Sequence, residues 1–139
     1  MNITKELYYQ ILSHIPICPP ECGGIIAGKN NIVSHFCIDE QGIASANEYM
    51  PNIKYINETI ELWRKNNIDF LGIFHTHPES GRVLSKSDIT YITKIMTNIS
   101  DENIHLYFPI IIPRKEIISY YSQIVNGDIQ ILNDEINFV

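Results

Sequence analysis

Basic residues are few in this sequence, and long apolar runs are absent from it. The 139 residues include 10 Lys and Arg against 16 Asp and Glu, which gives a formal net charge of −6. A surface that binds nucleic acid or an anionic membrane needs clustered Lys and Arg, and here the basic residues are scattered. No apolar run approaches the roughly 20 residues of a membrane-spanning helix. We therefore expect no nucleic acid and no membrane among its partners.

Cysteine is scarce as well, and Cys18, Cys22 and Cys37 form an odd set that cannot pair completely. None of them lies in a C-x-x-C pair, which argues against a zinc ribbon built from thiolates. We expect three buried thiols in a reducing compartment. Glu6 stands where a signal peptide has its apolar region, so the sequence predicts a cytoplasmic protein.

Repeats, low-complexity tracts and linkers are missing too, and their absence predicts a single domain over residues 1–139. A chain of this length buries a core without metal or disulfide cross-links. Apolar side chains recur at helical spacing in three segments, which predicts helices at about 4–14, 56–66 and 89–99.

Apolar runs bounded by turn residues predict the strands. The expected strands are 25–27, 32–38, 70–74, 106–112, 117–125 and 129–132. The pairs Asn30-Asn31 and Asn126-Gly127 are turn sequences between neighbouring strands. Strands and helices alternate at first and then give way to a meander, so we predict a mixed α/β fold with helices packed on a mixed sheet.

The segment FHTHP places two histidines at the end of the predicted strand 70–74. Residues two apart on a strand project from one face with Cα atoms roughly 6–7 Å apart, so the imidazoles of His75 and His77 can converge on one ion. Pro78 then ends the strand. The same pattern also fits one packed strand histidine and one solvated loop histidine, because H-x-H is short and chance matches are common.

The segment SKSD, Ser85 to Asp88, precedes the third helical period. Alone, it predicts a helix start, with Ser85 as the cap and Asp88 favouring the helix dipole. A helix start is also a rigid base from which Asp88 can point at a metal. Two histidines and one carboxylate would leave a fourth tetrahedral position for water, as in a catalytic zinc site.

Glu21 is a candidate for the base that such a water needs. Pro19 and Pro20 precede it, and Gly-Gly and an apolar strand follow, which places it at the mouth of a buried strand. An exposed loop carboxylate is the alternative on these local features.

Taken together, these segments resemble the JAMM motif of the JAB/MPN metalloproteases. That motif consists of a distant Glu, then H-[ST]-H-P, then six residues, then S-x-x-D. The chain has Glu21, His75-Thr76-His77-Pro78 and Ser85-x-x-Asp88 at this spacing. The segment PPECGGIIAG is similar to the first motif of the family. The resemblance implies the MPN/JAB-type fold, a central mixed and mostly antiparallel sheet flanked by helices.

The resemblance also implies a role for each matching residue. His75, His77 and Asp88 would bind one Zn²⁺ per chain. Glu21 would accept a proton from the zinc-bound water and pass it to the leaving amine. Ser85 would hydrogen-bond the oxyanion, and no covalent enzyme intermediate would form.

The family further implies the class of substrate. Members with all these residues cleave peptide or isopeptide bonds, many of them after the C-terminal glycine of ubiquitin or a ubiquitin-like protein. Compact prokaryotic members trim sulfur-carrier precursors or remove ubiquitin-like modifiers, some of them in antiviral systems. We expect a ubiquitin-like or sulfur-carrier protein as substrate. The segment from Ala46 to Lys54 either forms a lip that contacts this protein or is a loop with buried aromatic side chains.

Three alternatives compete with a zinc isopeptidase. Some MPN domains have lost their ligands and act as scaffolds, whereas this chain retains all of them, and a subunit that a partner activates stays open. Another H-x-H hydrolase would need further clustered ligands, and none of His14, His35 and His105 sits in such a cluster; we interpret His35 and His105 as structural or surface residues. A thiol protease would use Cys22, but no His or Asn is placed to activate it.

Overall fold

The computed structural model describes residues 1–44, 48–98 and 104–139. Within these ranges the helices are α1 (Lys5–His14), α2 (Ile53–Lys65) and α3 (Lys86–Thr97). The strands are β1 (Asn2–Ile3), β2 (Gly23–Lys29), β3 (Ile32–Ile38), β4 (Ile43–Ala44), β5 (Tyr49–Met50), β6 (Asp69–Thr76), β7 (His105–Tyr107), β8 (Ile110–Ile112), β9 (Glu116–Val125), β10 (Asp128–Asp134) and β11 (Asn137–Phe138). None of the helices in the described ranges has the length and apolar character needed to cross a bilayer.

Nine strands form one mixed sheet, which confirms the predicted fold class. The strand order is β10-β9-β7-β6-β2-β3-β1-β11, and β8 pairs with both β6 and β9. The long ladders, β9–β10, β2–β3 and β2–β6, are antiparallel. The parallel ladders that involve β1, β7 and β8 are each one or two residue pairs long. The strands β4 and β5 pair antiparallel in a separate two-stranded sheet.

The helices begin where a side chain caps their first turn. Thr4 accepts the N–H of Leu7 at the start of α1, as predicted. Helix α2 begins at Ile53, three residues earlier than predicted, because Asn52 caps it by accepting the N–H of Tyr55 at 3.0 Å. Helix α3 ends at Thr97, and Ile99, which we expected in it, lies outside the described residues.

The strand predicted at 106–112 is in fact two strands, so that prediction was wrong in continuity. Pro109 has no N–H to donate to a ladder, and it lies where the strand is interrupted, between β7 and β8. The Pro109 carbonyl instead accepts the N–H of His75 at 3.3 Å. The two-residue strands β1, β4, β5 and β11 were not predicted, because so short a strand has no period to detect.

Two apolar clusters pack against the sheet. One includes Ile11 of α1 together with Leu71 and Phe74 of β6, and the other includes Ile92 and Met96 of α3. Phe70 and Ile73 of β6 pack against the second cluster, so β6 contacts both, as its continuous apolar sequence predicted.

The three cysteines depart from the prediction of buried thiols. Each is free, and each is only partly buried. Cys22 packs against the edge of the apolar cluster that includes Ile11.

Arg114 ties the turn between β8 and β9 to the C-terminal end of α1. Its Nη1 donates to the carbonyls of Leu12 and Ile15, at 2.8 Å each, and its backbone N–H donates to Leu12 at 3.1 Å. The last carbonyls of a helix have no partner within the helix, and a cation is favourable there. The chain leaves this junction through the prolines that precede Glu21, so the junction anchors one end of that segment.

Replacing Arg114 with alanine should lower the free energy of unfolding by about 1–2 kcal/mol, because hydrogen bonds to helix carbonyls are lost. We expect Tm in scanning calorimetry to fall by a few degrees. Arg64→Ala is the matched control, since Arg64 pairs with Glu61 on an exposed face of α2 and its loss should leave Tm nearly unchanged. Equal losses in the two variants would contradict the role of Arg114.

Candidate metal centre

The end of β6 brings two imidazoles together. His75 is the penultimate residue of β6, and His77 follows the strand, where its N–H still donates to the carbonyl of Ile111 at 3.1 Å. The two Nε2 atoms are 2.8 Å apart, and the ring centroids are 4.6 Å apart. The imidazoles therefore converge, as expected for residues two apart on one face of a strand.

Asp88 meets both imidazoles from the first turn of α3. Its Oδ1 lies 3.2 Å from Nε2 of His75, and its Oδ2 lies 3.2 Å from Nε2 of His77. Oδ2 also accepts the N–H of Ser85 at 2.8 Å, while Ser85 Oγ accepts the N–H of Asp88 at 3.1 Å. The two interpretations of S-x-x-D therefore coexist, because one carboxylate completes a capping box and faces the histidines.

A backbone carbonyl sets the tautomer of His77. Its Nδ1 lies 2.7 Å from the carbonyl oxygen of Gly81, and because a carbonyl only accepts, Nδ1 carries the proton. The neutral ring then has its lone pair on Nε2, the form in which imidazole binds a metal. Sequence reasoning missed Gly81, whose only signal was its place in the turn that follows His77.

These three side chains could hold a metal ion. Ligand atoms 2.0–2.1 Å from a tetrahedral zinc lie roughly 3.3–3.4 Å from one another. The separations of 2.8, 3.2 and 3.2 Å are close to this spacing. Three protein donors leave a fourth position open, as in a catalytic site. Within the ranges that the structure describes, no other group of three such donors comes together.

The charges in this cluster favour an ionised carboxylate. Burial alone would raise the pKa of Asp88, but the contacts with the two imidazoles, His75 and His77, and the hydrogen bond from the Ser85 N–H hold that pKa well below its usual value. Burial lowers the pKa of His77, but Asp88 and the Gly81 carbonyl raise it by more, so it lies above its usual value. Asp88 is therefore an anion at neutral pH.

Glu21 lies beside this cluster and is only 8% exposed. The alternative interpretation of Glu21 as an exposed loop carboxylate is therefore wrong. Burial raises the pKa of Glu21, the imidazoles of His77 and His75 partly offset this, and Asp88 and Glu48 raise it further. A carboxylate with a raised pKa exchanges protons more readily near neutral pH than an ordinary one. The structure therefore places a buried carboxylate with a raised pKa next to the three donors.

One cavity of about 250 Å³ joins the candidate residues. Glu21, His75, His77, Ser85 and Asp88 all line it. The other lining residues are Glu48, Tyr49, Ile73, Ser87, Tyr91, Ile92 and Phe108.

Ser85 is exposed, and its hydroxyl can still donate a hydrogen bond. Within the capping box Ser85 Oγ only accepts, so its proton is left for another acceptor.

Tyr49 forms one wall of this cavity and is held from behind by Asp39. The Tyr49 hydroxyl donates to Asp39 Oδ2 at 2.6 Å, and the N–H of Asn52 donates to the same oxygen at 2.7 Å. The ring packs so closely on Gly23 that a Cβ there would lie 2.3 Å from it. Of the expected lip, Tyr49 contributes to the cavity and Ala46 lies outside the described residues. Sequence reasoning missed Asp39, which no motif marks.

The residues that another H-x-H hydrolase or a thiol protease would use lie away from the cavity or are poorly suited to that chemistry. His14, His35 and His105 are exposed on α1, β3 and β7, as expected of surface residues. Burial raises the pKa of the Cys22 thiol, whereas a nucleophilic cysteine needs a lowered pKa. The hydroxyl of Thr76 offsets only part of that effect.

Similar solved structures support the fold. The solution structure of protein DSY2949 from Desulfitobacterium hafniense is 18% identical, covers 99% of this chain and 92% of its own, and has a TM-score of 0.65. The solution structure of a protein from Salinibacter ruber is 14% identical, covers 100% of this chain and 92% of its own, and has a TM-score of 0.58. No curated protein is similar enough to count as a match. At these identities the likeness shows the fold alone.

A family model settles the membership of the chain. The model of the prokaryotic homologs of the JAB domain matches residues 4–122, and this range includes all five candidate residues from Glu21 to Asp88. The match covers well over half of the sequence and agrees with the fold and with the residues that first suggested the resemblance. The chain therefore belongs to the prokaryotic JAB-domain family.

Proposed function

We propose that this protein is a zinc-dependent metalloprotease that hydrolyses a peptide or isopeptide bond. The observation that carries the proposal is the single cavity lined by Glu21, His75, His77 and Asp88. The three donors could hold a metal ion, and the buried carboxylate beside them supplies the group that a hydrolytic reaction needs.

Zinc is the proposed metal because two imidazole nitrogens and one carboxylate with an open fourth position are typical catalytic zinc ligands. When bound, zinc supplies a water activated at neutral pH and polarises the carbonyl of the scissile bond. Asp88 holds its position through the capping box, and Gly81 keeps the lone pair of His77 on Nε2, so both donors are oriented in advance.

Glu21 is the proposed general base and acid. Its carboxylate takes a proton from the attacking water and delivers it to the nitrogen of the leaving amine, so the proton that the base gains is the proton that the leaving group needs. A raised pKa makes the Glu21 carboxylate a stronger base toward the water than an ordinary carboxylate. Ser85 Oγ donates a hydrogen bond to the carbonyl oxygen as it gains negative charge.

The proposed substrate is the C-terminal tail of a ubiquitin-like or sulfur-carrier protein. Residues without side chains fit a narrow cavity, and Tyr49 and Glu21 both line this one. An extended tail binds by adding a strand next to the site. The proposed location is the cytoplasm, a reducing compartment in which three free cysteines stay reduced.

A subunit that needs a partner is the second candidate. In that case the isolated chain would bind zinc and leave the substrate uncut, and addition of the partner would restore cleavage. A scaffold without chemistry is disfavoured, because the described donors and Glu21 share one cavity.

Glu21→Gln should lower the rate of cleavage by at least about 100-fold, because an amide cannot take the proton of the attacking water. Zinc content and Tm should stay near those of the original chain. Glu58→Gln is the matched control, since Glu58 is exposed on α2 and should leave the rate unchanged. Undiminished cleavage by Glu21→Gln would eliminate the proposed base.

His77→Ala should abolish zinc binding at the site, because it removes one of three donors. The measurement is the zinc content of the purified protein, expected to fall from about one per chain to near zero. His14→Ala is the matched control on the exposed face of α1 and should keep its zinc. Full zinc content in His77→Ala would show that this residue is not a ligand.

A fusion that ends its first domain in Gly-Gly should be cut at that point, and a chelator should stop the reaction. Added zinc should restore cleavage, because the donors remain after the metal is removed. A thiol alkylating reagent, by contrast, should leave most of the activity. Loss of activity with the alkylating reagent and none with the chelator would favour a thiol protease.

A further inference from the structure

The backbone next to Glu21 is held in an unusual way. The last residue pair of the β2–β6 ladder is Gly23 with His75. Beyond it, Cys22 and Thr76 still face each other, but only one of their two hydrogen bonds joins backbone to backbone. The N–H of Thr76 donates to the carbonyl of Cys22 at 2.8 Å, as in a regular antiparallel pair. The N–H of Cys22 donates to the side chain of Thr76, with 2.9 Å between the nitrogen and Oγ1.

This hydrogen bond acts directly on Glu21. The N–H of Cys22 belongs to the planar peptide group that joins Glu21 to Cys22, so its partner sets the orientation of the plane that includes the Glu21 Cα. The contact spans 54 residues of sequence. It supplies a tertiary restraint where the prolines before Glu21 offer no N–H for a ladder.

Thr76 is well placed to keep its hydroxyl fixed. The residue is completely buried, at 0% exposure. Because side chains alternate along a strand, it projects away from the face on which His75 and His77 converge. Its Oγ1 lies 3.3 Å from the carbonyl of Cys22, so it can donate to the residue whose N–H it accepts. A β-branched side chain also has few χ1 rotamers.

We propose that Thr76 is a positioning residue whose hydroxyl sets the orientation of Glu21 for proton transfer. The inference rests on the proposed function, because it assumes that Glu21 is the base. Removal of the hydroxyl frees the peptide group between Glu21 and Cys22, while His75 keeps its place on β6 and His77 keeps its backbone hydrogen bond to Ile111. Loss of the Thr76 hydroxyl therefore slows the proton transfer and leaves the metal donors in place. A displacement of about 1 Å is enough to cost about 100-fold in rate.

Thr76→Val and Thr76→Ser separate the hydroxyl from the shape of the side chain. Valine keeps the two branches and removes the hydroxyl, and serine keeps the hydroxyl. For Thr76→Val we expect kcat on a Gly-Gly-tailed fusion to fall about 10- to 100-fold, with KM within twofold and zinc content unchanged. Thr76→Ser should recover kcat to within about threefold of the original chain. Thr97→Val is the control, because its hydroxyl donates only to the Thr93 carbonyl in α3.

The decisive comparison is the effect of Thr76→Val on kcat in the original chain and in the variant Glu21→Gln. If Thr76 acts through Glu21, Thr76→Val adds little to the loss already caused by Glu21→Gln. The same fold-loss in both backgrounds would overturn the proposal, and so would an unchanged kcat in Thr76→Val. Where Thr76→Val does not fold, Thr76→Ala is the second variant without a hydroxyl, and the same outcomes apply to it.

Amide hydrogen exchange tests the contact without any activity. The N–H of Cys22 should be protected in the original chain and in Thr76→Ser, and it should exchange at least about 10-fold faster in Thr76→Val. Equal protection in all three would overturn the positioning role. This readout also separates the two hypotheses: a chain with the exchange pattern but no cleavage would contradict the proposed function, while the structural contact would stand.

Discussion

The antiparallel pairing of β2 with β6 is the interaction on which the candidate site depends. It sets Gly23 opposite His75, and so brings the segment that begins at Glu21 against the end of the strand that carries the histidines. The pairing is long and lies in the middle of the sheet, and one apolar cluster includes residues of both strands. A shift of one residue in this register would turn the histidine face away from Glu21, because side chains alternate along a strand.

The second constraint is the double use of Asp88. A carboxylate in the first turn of a helix is favoured by the helix dipole and by the capping box with Ser85. The same oxygens lie 3.2 Å from the two histidines, so local helix formation delivers the third donor without a separate supporting residue. The cost of holding an anion in a half-buried place is offset by the hydrogen bond from the Ser85 N–H and by the two neighbouring imidazoles.

Much of the local structure follows from the sequence because its signals are short-range. The cap at Thr4 and the turn at Asn126-Gly127 are where the sequence predicts them. The errors have equally local causes: Asn52 caps α2 earlier than the apolar period suggested, and Pro109 divides one expected strand into two. The two-residue strands at both ends of the chain depend on partners far away in sequence, so no local pattern marks them.

By itself, the sequence determined the identity and spacing of the candidate donors, because a fixed motif states residue types and intervals. Only the tertiary structure decided that Glu21 is buried beside them, that Gly81 orients His77 and that Asp39 holds Tyr49 against the cavity. These contacts are made by one backbone carbonyl and by single side-chain oxygens. Carbonyls are the same in every residue, so a sequence pattern cannot mark which of them will meet an imidazole; the path of the folded chain decides it.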